Sequence, residues 1–468
     1  MRKRKWFPLL ILAAAVAGVL GWRAATRRRV SPPDSRNPPN IVLIVVDTLR
    51  RDHVGCYGYG PPTTPTIDRL ARDGARFDQM IATSSWTVPS VMSLFTGLPP
   101  TLHRTNFSSK LPASLTTLAA ELRARGYQTA GVSPNPSTRP GFGFGTGFDL
   151  YQDDAAIIER DPNILVNRGK VMTIRDVSTS AITTTMAVEW LEQKREKNAP
   201  FFLFALYLDP HADYTPPPPN DTFFDPGYKG MVDGHMYSAP LDRTEREKTH
   251  VKALYDGEVR TADEQIGRLL KKLEELGLMD NTLVMLTADH GEEFWDHGKT
   301  LHGHTLYDEL IRVPCIVRWP ASVEAGAVIP DQVSGVSVMP TLLEAAGAHI
   351  PVQCQGPSLL GLLARHEQLP PQICFAETYF ESASLRMVRL PGQKMIVEMR
   401  ANIPRFYDLD ADRGERDPID KPERFKTLAS SFADYTAFIE SHLSDEAAQK
   451  PELDATAIER LKQMGYAQ

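Results

Sequence analysis

The stretch Ile41-Val-Leu-Ile-Val-Val46 is an unbroken apolar, largely β-branched run that ends at Asp47. A strand with one wet face alternates apolar and polar residues. An unbroken run offers water no face, and suits a strand covered on both sides in a parallel sheet. Similar runs recur at Phe201–Leu208, Leu283–Leu286 and Cys315–Val317. Helical periodicity lies between them at Thr64–Asp73, Ser114–Arg125, Thr179–Lys194 and Glu245–Leu276. Strands alternating with helices predict an α/β sandwich around a mostly parallel central sheet. Pro134–Phe148 and Tyr214–Tyr228 are rich in Gly or Pro and read as surface loops. From about Ile373 the pattern changes to short strands (Met387–Leu390, Lys394–Glu398) and a polar helical tail. The expectation is a main domain over 40–372 and a smaller C-terminal α+β subdomain over 373–468.

The first thirty residues are of another kind. Arg2, Lys3, Arg4 and Lys5 precede the apolar run Trp6–Gly21, and Arg23, Arg27, Arg28 and Arg29 follow it. A basic region before an apolar one reads as an export signal. Small residues at Ala13–Ala17 suit a cleaved signal peptide, and the arginines beyond the run suit an uncleaved anchor. The run is near the lower limit of the about 17–25 residues that span a bilayer. Residues 1–30 are therefore expected to place the body on the exported side, periplasmic or extracellular, and to touch the membrane. Residues 31–39, rich in Pro, Ser and Asn, read as a linker. A formal net charge of -6, with no run of like charges outside the N-terminus, argues against nucleic acid as a partner, since its binders present a basic face. The four cysteines (Cys56, Cys315, Cys354, Cys374) lack CxxC spacing, which argues against a zinc-thiolate site. In an exported chain Cys354 could pair with Cys374, which sequence does not decide.

Chemistry-bearing residues follow the apolar runs. Val46 leads into Asp47, Leu208 into Asp209-Pro210-His211, and Leu286 into Thr287-Ala288-Asp289-His290-Gly291. Open α/β sheets bind ligands beyond the carboxyl ends of their strands. A lone Asp after a strand is ordinarily a cap or turn residue. Asp47, Asp289 and His290 converging on one sheet edge instead suggest a site for Mg, Ca, Mn or Zn, among which the ligand types do not choose. The segment Ser84–Gly97 places hydroxyl residues and Pro89 ahead of an apolar helical stretch, a good helix start. Thr87 there reads either as an N-cap or as a nucleophile in the positive end of the helix dipole.

At this point the residues become recognisable. Pro39–Gly58, Thr64–Ala71, Gly74–Phe77, Asp209–Pro217, Asp289–Glu293, His297–Gly298, Leu306–Pro314, Phe406–Arg416 and Leu461–Tyr466 occur in the order of the sulfatase family and resemble its segments. The resemblance covers residue 39 to the end. It implies an alkaline phosphatase-like fold and a hydrolase of sulfate or phosphate esters, acting on a small-molecule, glycan or lipid ester. It also implies that Asp47, Asp289 and His290, with Thr87, bind a divalent metal. Thr87 stands at the nucleophile position. His211 would face the substrate, and His302 or His304 would occupy the region of a further cationic or metal-binding group. Arg50 reads as structural. Asp209, His211, His302 and His304 are together a candidate second metal site, so one metal or two is expected.

The chain departs from the family at one decisive place. Sulfatases carry Cys or Ser in a Cys/Ser-x-Pro-x-Arg frame and oxidise it to formylglycine. Here the frame reads Thr87-Val88-Pro89-Ser90-Val91. A secondary alcohol cannot give that aldehyde, and the arginine is missing. One of the paired aspartates usual after the first strand is also replaced, by Thr48. Formylglycine lets a sulfated intermediate collapse by elimination. A threonine ester must instead be released by attack at sulfur or phosphorus, a route that phosphoryl centres tolerate better. The expected scheme has Thr87 attacking in line and a histidine among His211, His297, His302 and His304 protonating the leaving group. The alternatives are a phosphoglycerol- or phosphoethanolamine-type transferase with a cell-envelope acceptor, and an inactive binding module on the same scaffold.

Overall fold

The computed structural model describes residues 38–461, apart from 161–163, 168–169, 174–177, 237–241, 366, 421, 444–447, 456–457 and 459–460. The expected signal or anchor (1–30), most of the linker and the 462–466 part of the family-like ending lie outside the described residues. Among the described residues no helix is long and apolar enough to cross a membrane.

The chain forms, in order, β1 (Asn40–Val46), β2 (Ala75–Ile81), β3 (Gln128–Val132), β4 (Leu150–Gln152), β5 (Ile164–Asn167), β6 (Lys170–Thr173), β7 (Phe201–Tyr207), β8 (Thr282–Thr287), β9 (Glu293–Phe294), β10 (Thr300–Leu301), β11 (Arg312–Arg318), β12 (Ala327–Ser334), β13 (Cys374–Thr378), β14 (Leu385–Leu390), β15 (Gln393–Glu398) and β16 (Ile403–Asp408). Eight of them make the main sheet in the order β12-β2-β11-β8-β1-β7-β3-β4. Its neighbours pair in parallel except at β11, which is antiparallel to both β2 and β8. The apolar runs explain the centre of this order. β1, β7 and β8 are buried along their whole length, as strands covered on both faces must be.

Helices Pro65–Arg72, Thr179–Glu189 and Glu245–Glu275 pack together as one covering layer, and Thr87–Thr96, Leu118–Ala124 and Val338–Ala345 as the other. The long helix starts at a capping box in which Thr244 and Glu247 satisfy each other's backbone N–H groups. The predicted helix from Ser114 begins only at Leu118, because Thr117 caps it by accepting from Ala120 N. The predicted helix Thr179–Lys194 ends its regular part at Glu189 and continues as a π turn over Trp190–Lys194.

β13–β16 form a separate antiparallel sheet, backed by the helix Lys426–His442 around Val388, Met395, Val397, Phe406, Phe425 and Leu428. This is the smaller C-terminal subdomain. All four cysteines are free, so the pairing of Cys354 with Cys374 does not form. Cys354 instead lies against Gly97, and Cys374 is buried in β13.

Candidate active site

Register builds the site. Val46 lies beside Tyr207 of β7 and Val45 beside Thr287 of β8, so the residues after these strands emerge together. Asp47 follows β1 directly. Thr48 turns the chain with φ 57°, a left-handed conformation that costs about 1 kcal/mol in a non-glycine residue. That turn lets Thr48 N donate to Asp289 Oδ1 at 3.3 Å, next to the donation from His290 N at 2.9 Å.

Asp47, Asp289 and His290 each place a ligand atom within 4.8 Å of the others, and all three are fully buried. His290 Nδ1–H donates to Gly291 O at 2.9 Å, which fixes the tautomer and gives Nε2 the lone pair. Nε2 stands 3.4 Å from Asp289 Oδ2 and 3.7 Å from Asp47 Oδ1. Both of those carboxylate oxygens are buried without a hydrogen-bond partner. Two orphaned carboxylate oxygens and an imidazole lone pair converging in a dry cluster fit a divalent cation, because a cation offsets the desolvation each acceptor otherwise suffers. Without that charge, burial and then the Asp289 carboxylate raise Asp47 well above the usual range, and burial pushes Asp289 to about 7.

Thr87 belongs to this cluster. Its Oγ1 lies 3.3 Å from His290 Nε2 and 3.5 Å from Asp47 Oδ2. It is not the N-cap. That position falls to Trp86, and Thr87 is the first residue of the helix Thr87–Thr96, buried along its whole length. Ser90, one turn on, donates from Oγ to Asp289 O at 2.6 Å and ties this helix to the segment that follows β8.

The histidines divide. His211 donates Nδ1–H to Ala212 O at 2.8 Å, and its ring meets that of His302 at 4.8 Å. His302 stands 4.6 Å from the His290 ring and bonds through Nδ1 to Glu292 Oε1 at 2.9 Å. Glu292 Oε2 accepts in turn from Tyr214 Oη. Burial, with His290 and His304 nearby, lowers His302 well below the ordinary histidine value, so it stays neutral. His304 faces Phe380 and Glu381 instead. His297 is excluded as a leaving-group acid, because Nδ1 bonds Glu309 at 2.6 Å and Nε2 faces the Gly414 and Glu415 carbonyls. Asp209 accepts from Ser180 N in the first turn of the helix Thr179–Glu189. With Asp209 Oδ1 taken by Ser180 N and His304 turned outward, Asp209, His211, His302 and His304 do not come together as the expected second metal group among the described residues. Arg50 is bound by Asp52, Asp296 and Glu292 O, a structural role.

Asn135 escaped the sequence reading. Its Nδ2 donates to Asp47 Oδ2 at 2.8 Å. It lies just past β3, in a segment read only as a Gly- and Pro-rich loop. The rule that found Asp47 applies equally there, but Gln128–Val132 is too short and too glycine-interrupted to announce a buried strand.

The sulfatase family model matches residues 39–348, and the model for the N-sulphoglucosamine sulphohydrolase C-terminal region matches 296–435. Mouse steryl-sulfatase is 27% identical, over 73% of this chain and 67% of its own. The multifunctional alkaline phosphatase superfamily protein PehA of Trinickia caryophylli is also 27% identical, over 86% of this chain and 93% of its own. Among solved structures, a protein in complex with its substrate D-glucosamine-2-N,6-O-disulfate superposes with a TM-score of 0.75 at 21% identity, covering 86% of this chain and 98% of that one. On the family match, which takes in the strands and site residues from Asp47 to His304, the chain belongs to the sulfatase family.

Proposed function

We propose that this chain hydrolyses phosphate or sulfate esters with Thr87 as nucleophile, and that phosphoryl centres are its better substrates. The carrying observation is the position of Thr87 Oγ1, within 3.5 Å of both His290 and Asp47 at the first turn of a buried helix. Asp47, Asp289 and His290 would hold a divalent cation there. A bound cation supplies a lowered pKa for the Thr87 hydroxyl and compensating charge for the substrate oxyanion.

Thr87 releases its proton to solvent water and attacks phosphorus or sulfur in line, so that the Oγ1 bond forms as the leaving-group bond breaks. The positive end of the helix dipole at Thr87 favours the negative charge of the transferred group. His211, entering as the imidazolium with Nδ1–H held on Ala212 O, protonates the departing oxygen from Nε2. Neutral His302, oriented by Glu292 and Tyr214, accepts a proton from the water that later releases the Thr87 ester. The preference for phosphorus follows from Thr87 itself, since a threonine ester has no elimination route. The likeness to a protein described as a multifunctional alkaline phosphatase superfamily member supports the same reading.

Turnover of para-nitrophenyl phosphate, its bis-ester and para-nitrophenyl sulfate by the full chain tests this. Phosphorus esters should turn over faster, and Thr87→Ala should lose about 10³-fold or more in kcat. A Thr87→Ala protein with wild-type turnover would refute the nucleophile assignment.

A further inference from the structure

A second group of ligand-type side chains lies outside that site. Glu293 in β9, His297 and Glu309 place one ligand atom each within 4.8 Å of one another. Successive residues of an extended chain point to opposite sides. Glu292 accordingly reaches His302, while Glu293 faces this other group.

The protein alone does not satisfy it. Glu293 is fully buried, and both Oε1 and Oε2 lack a hydrogen-bond partner. Thr305 Oγ1 is also buried without one, and that hydroxyl is close enough to favour the charged form of Glu293. Burial and the Glu309 carboxylate together push Glu293 up to about 8. His297 is oriented from behind. Its Nε2 faces Gly414 O at 3.0 Å and Glu415 O at 3.2 Å, and its ring stacks on Tyr307 at 3.5 Å. Two backbone acceptors hold a proton at Nε2, and without an ion Nδ1–H donates to Glu309 Oε1 at 2.6 Å, so a bound ion would take the place of the Nδ1 proton alone. A purely protonic arrangement, imidazolium with ionised Glu309 and neutral Glu293, offers the Glu293 carboxyl only the nearby Thr305 hydroxyl, with no hydrogen bond formed to either oxygen.

We propose that Glu293, His297 and Glu309 bind a second divalent cation, separate from the Asp47–Asp289–His290 cluster, that ties the Glu293–Glu309 segment to the Gly414–Glu415 turn. Two carboxylates with one imidazole suit a divalent cation, and zinc and manganese, which accept nitrogen as well as oxygen, are the probes for it. The site is structural, since its ligands face away from Thr87's neighbours. His297 and Glu309 side chains keep 13% and 10% of their surface exposed, which leaves an entry for the ion.

The test is metal content by mass spectrometry after the full chain is equilibrated with zinc or manganese and desalted. The wild type should carry two ions, the Asp47→Asn/Asp289→Asn protein one, and the Glu293→Gln/Glu309→Gln protein one. Retention of the wild-type count by Glu293→Gln/Glu309→Gln overturns the proposal. So does the absence of any ion from Asp47→Asn/Asp289→Asn. If the glutamine variant does not fold, X-ray absorption on zinc-loaded Asp47→Asn/Asp289→Asn decides. One imidazole nitrogen with carboxylate oxygens around zinc supports the site, and an unbound, aquo-type spectrum rejects it. Failure of the Asp47 cluster to bind metal would leave this second count unaffected.

Discussion

At the residue scale, the site depends on small groups with no slack. Asn135 anchors one oxygen of Asp47 and so directs the other toward Asp289 and His290. Loss of such a supporting bond weakens metal sites by about 10–100-fold. Asn135→Ala should therefore lower metal affinity by that order, read by competition with a chelating dye, while thermal stability changes little. Gly303 sits between the two histidines with φ 89°, and a Cβ there would stand 2.7 Å from the Phe380 ring. Gly303→Ala should displace His302 and reduce kcat/KM by more than tenfold without abolishing folding; unchanged kinetics would show that the loop absorbs the methyl. Asp47, Thr87, Asp289 and His290 were all legible as residues, because each follows a strand or opens a helix. Asn135 and Glu292 were not. Amide and carboxylate side chains are common in loops, and only contact reveals which of them is aimed.

At the scale of elements, the helix Thr87–Thr96 is held by groups distant from the chemistry. His103 is buried, with Nδ1 accepting from Thr105 N at 3.1 Å and Nε2 donating to Pro89 O at 3.0 Å. Burial lowers it to about 3, so it folds neutral. The unfolded chain takes up a proton near its usual value of about 6.5, and the folded chain does not. This contribution to stability is complete above about pH 6.5 and is lost as pH falls toward 3, at about 1.4 kcal/mol per unit. Between pH 7 and pH 5 the wild type should lose about 2 kcal/mol from this group. A His103→Gln variant, though less stable at neutral pH, should show a shallower acid slope in urea titrations. An equal slope would assign the acid sensitivity elsewhere. The long elements were legible because periodicity is a repeated signal. β2 and β12 were not, since polar residues such as Arg76, Asp78 and Asp331 interrupt their apolar patterns, nor was β3, which is short and broken by Gly131.

At the scale of the whole molecule, the C-terminal sheet completes the site. Glu377 N donates to Thr83 O, Ser84 Oγ to Glu377 O, and Thr378 Oγ1 to Gly303 O, so β13 grips both the approach to Thr87 and the His302 loop. Farther along, Lys394 is fully buried between Asp308 at 3.0 Å and Glu415 at 2.8 Å, with Arg389 sharing Asp308. Lys394→Met leaves Glu415 a buried carboxylate without its cation. It should cost about 3–5 kcal/mol in urea unfolding and loosen the subdomain contact. Little change would mean that Arg389 alone neutralises the group. By itself the sequence determined the α/β class, the buried centre of the sheet and the strand ends that carry Asp47, Asp289 and His290, because burial on both faces and backbone periodicity are local properties of the chain. Only the tertiary structure decided which histidines share a site, that Asp209 accepts from the first turn of a helix, and that Asn135 and Glu292 orient catalytic-type groups. Those assignments depend on which side chains, distant in sequence, come within about 3 Å of one another, a distance set by register and packing between elements.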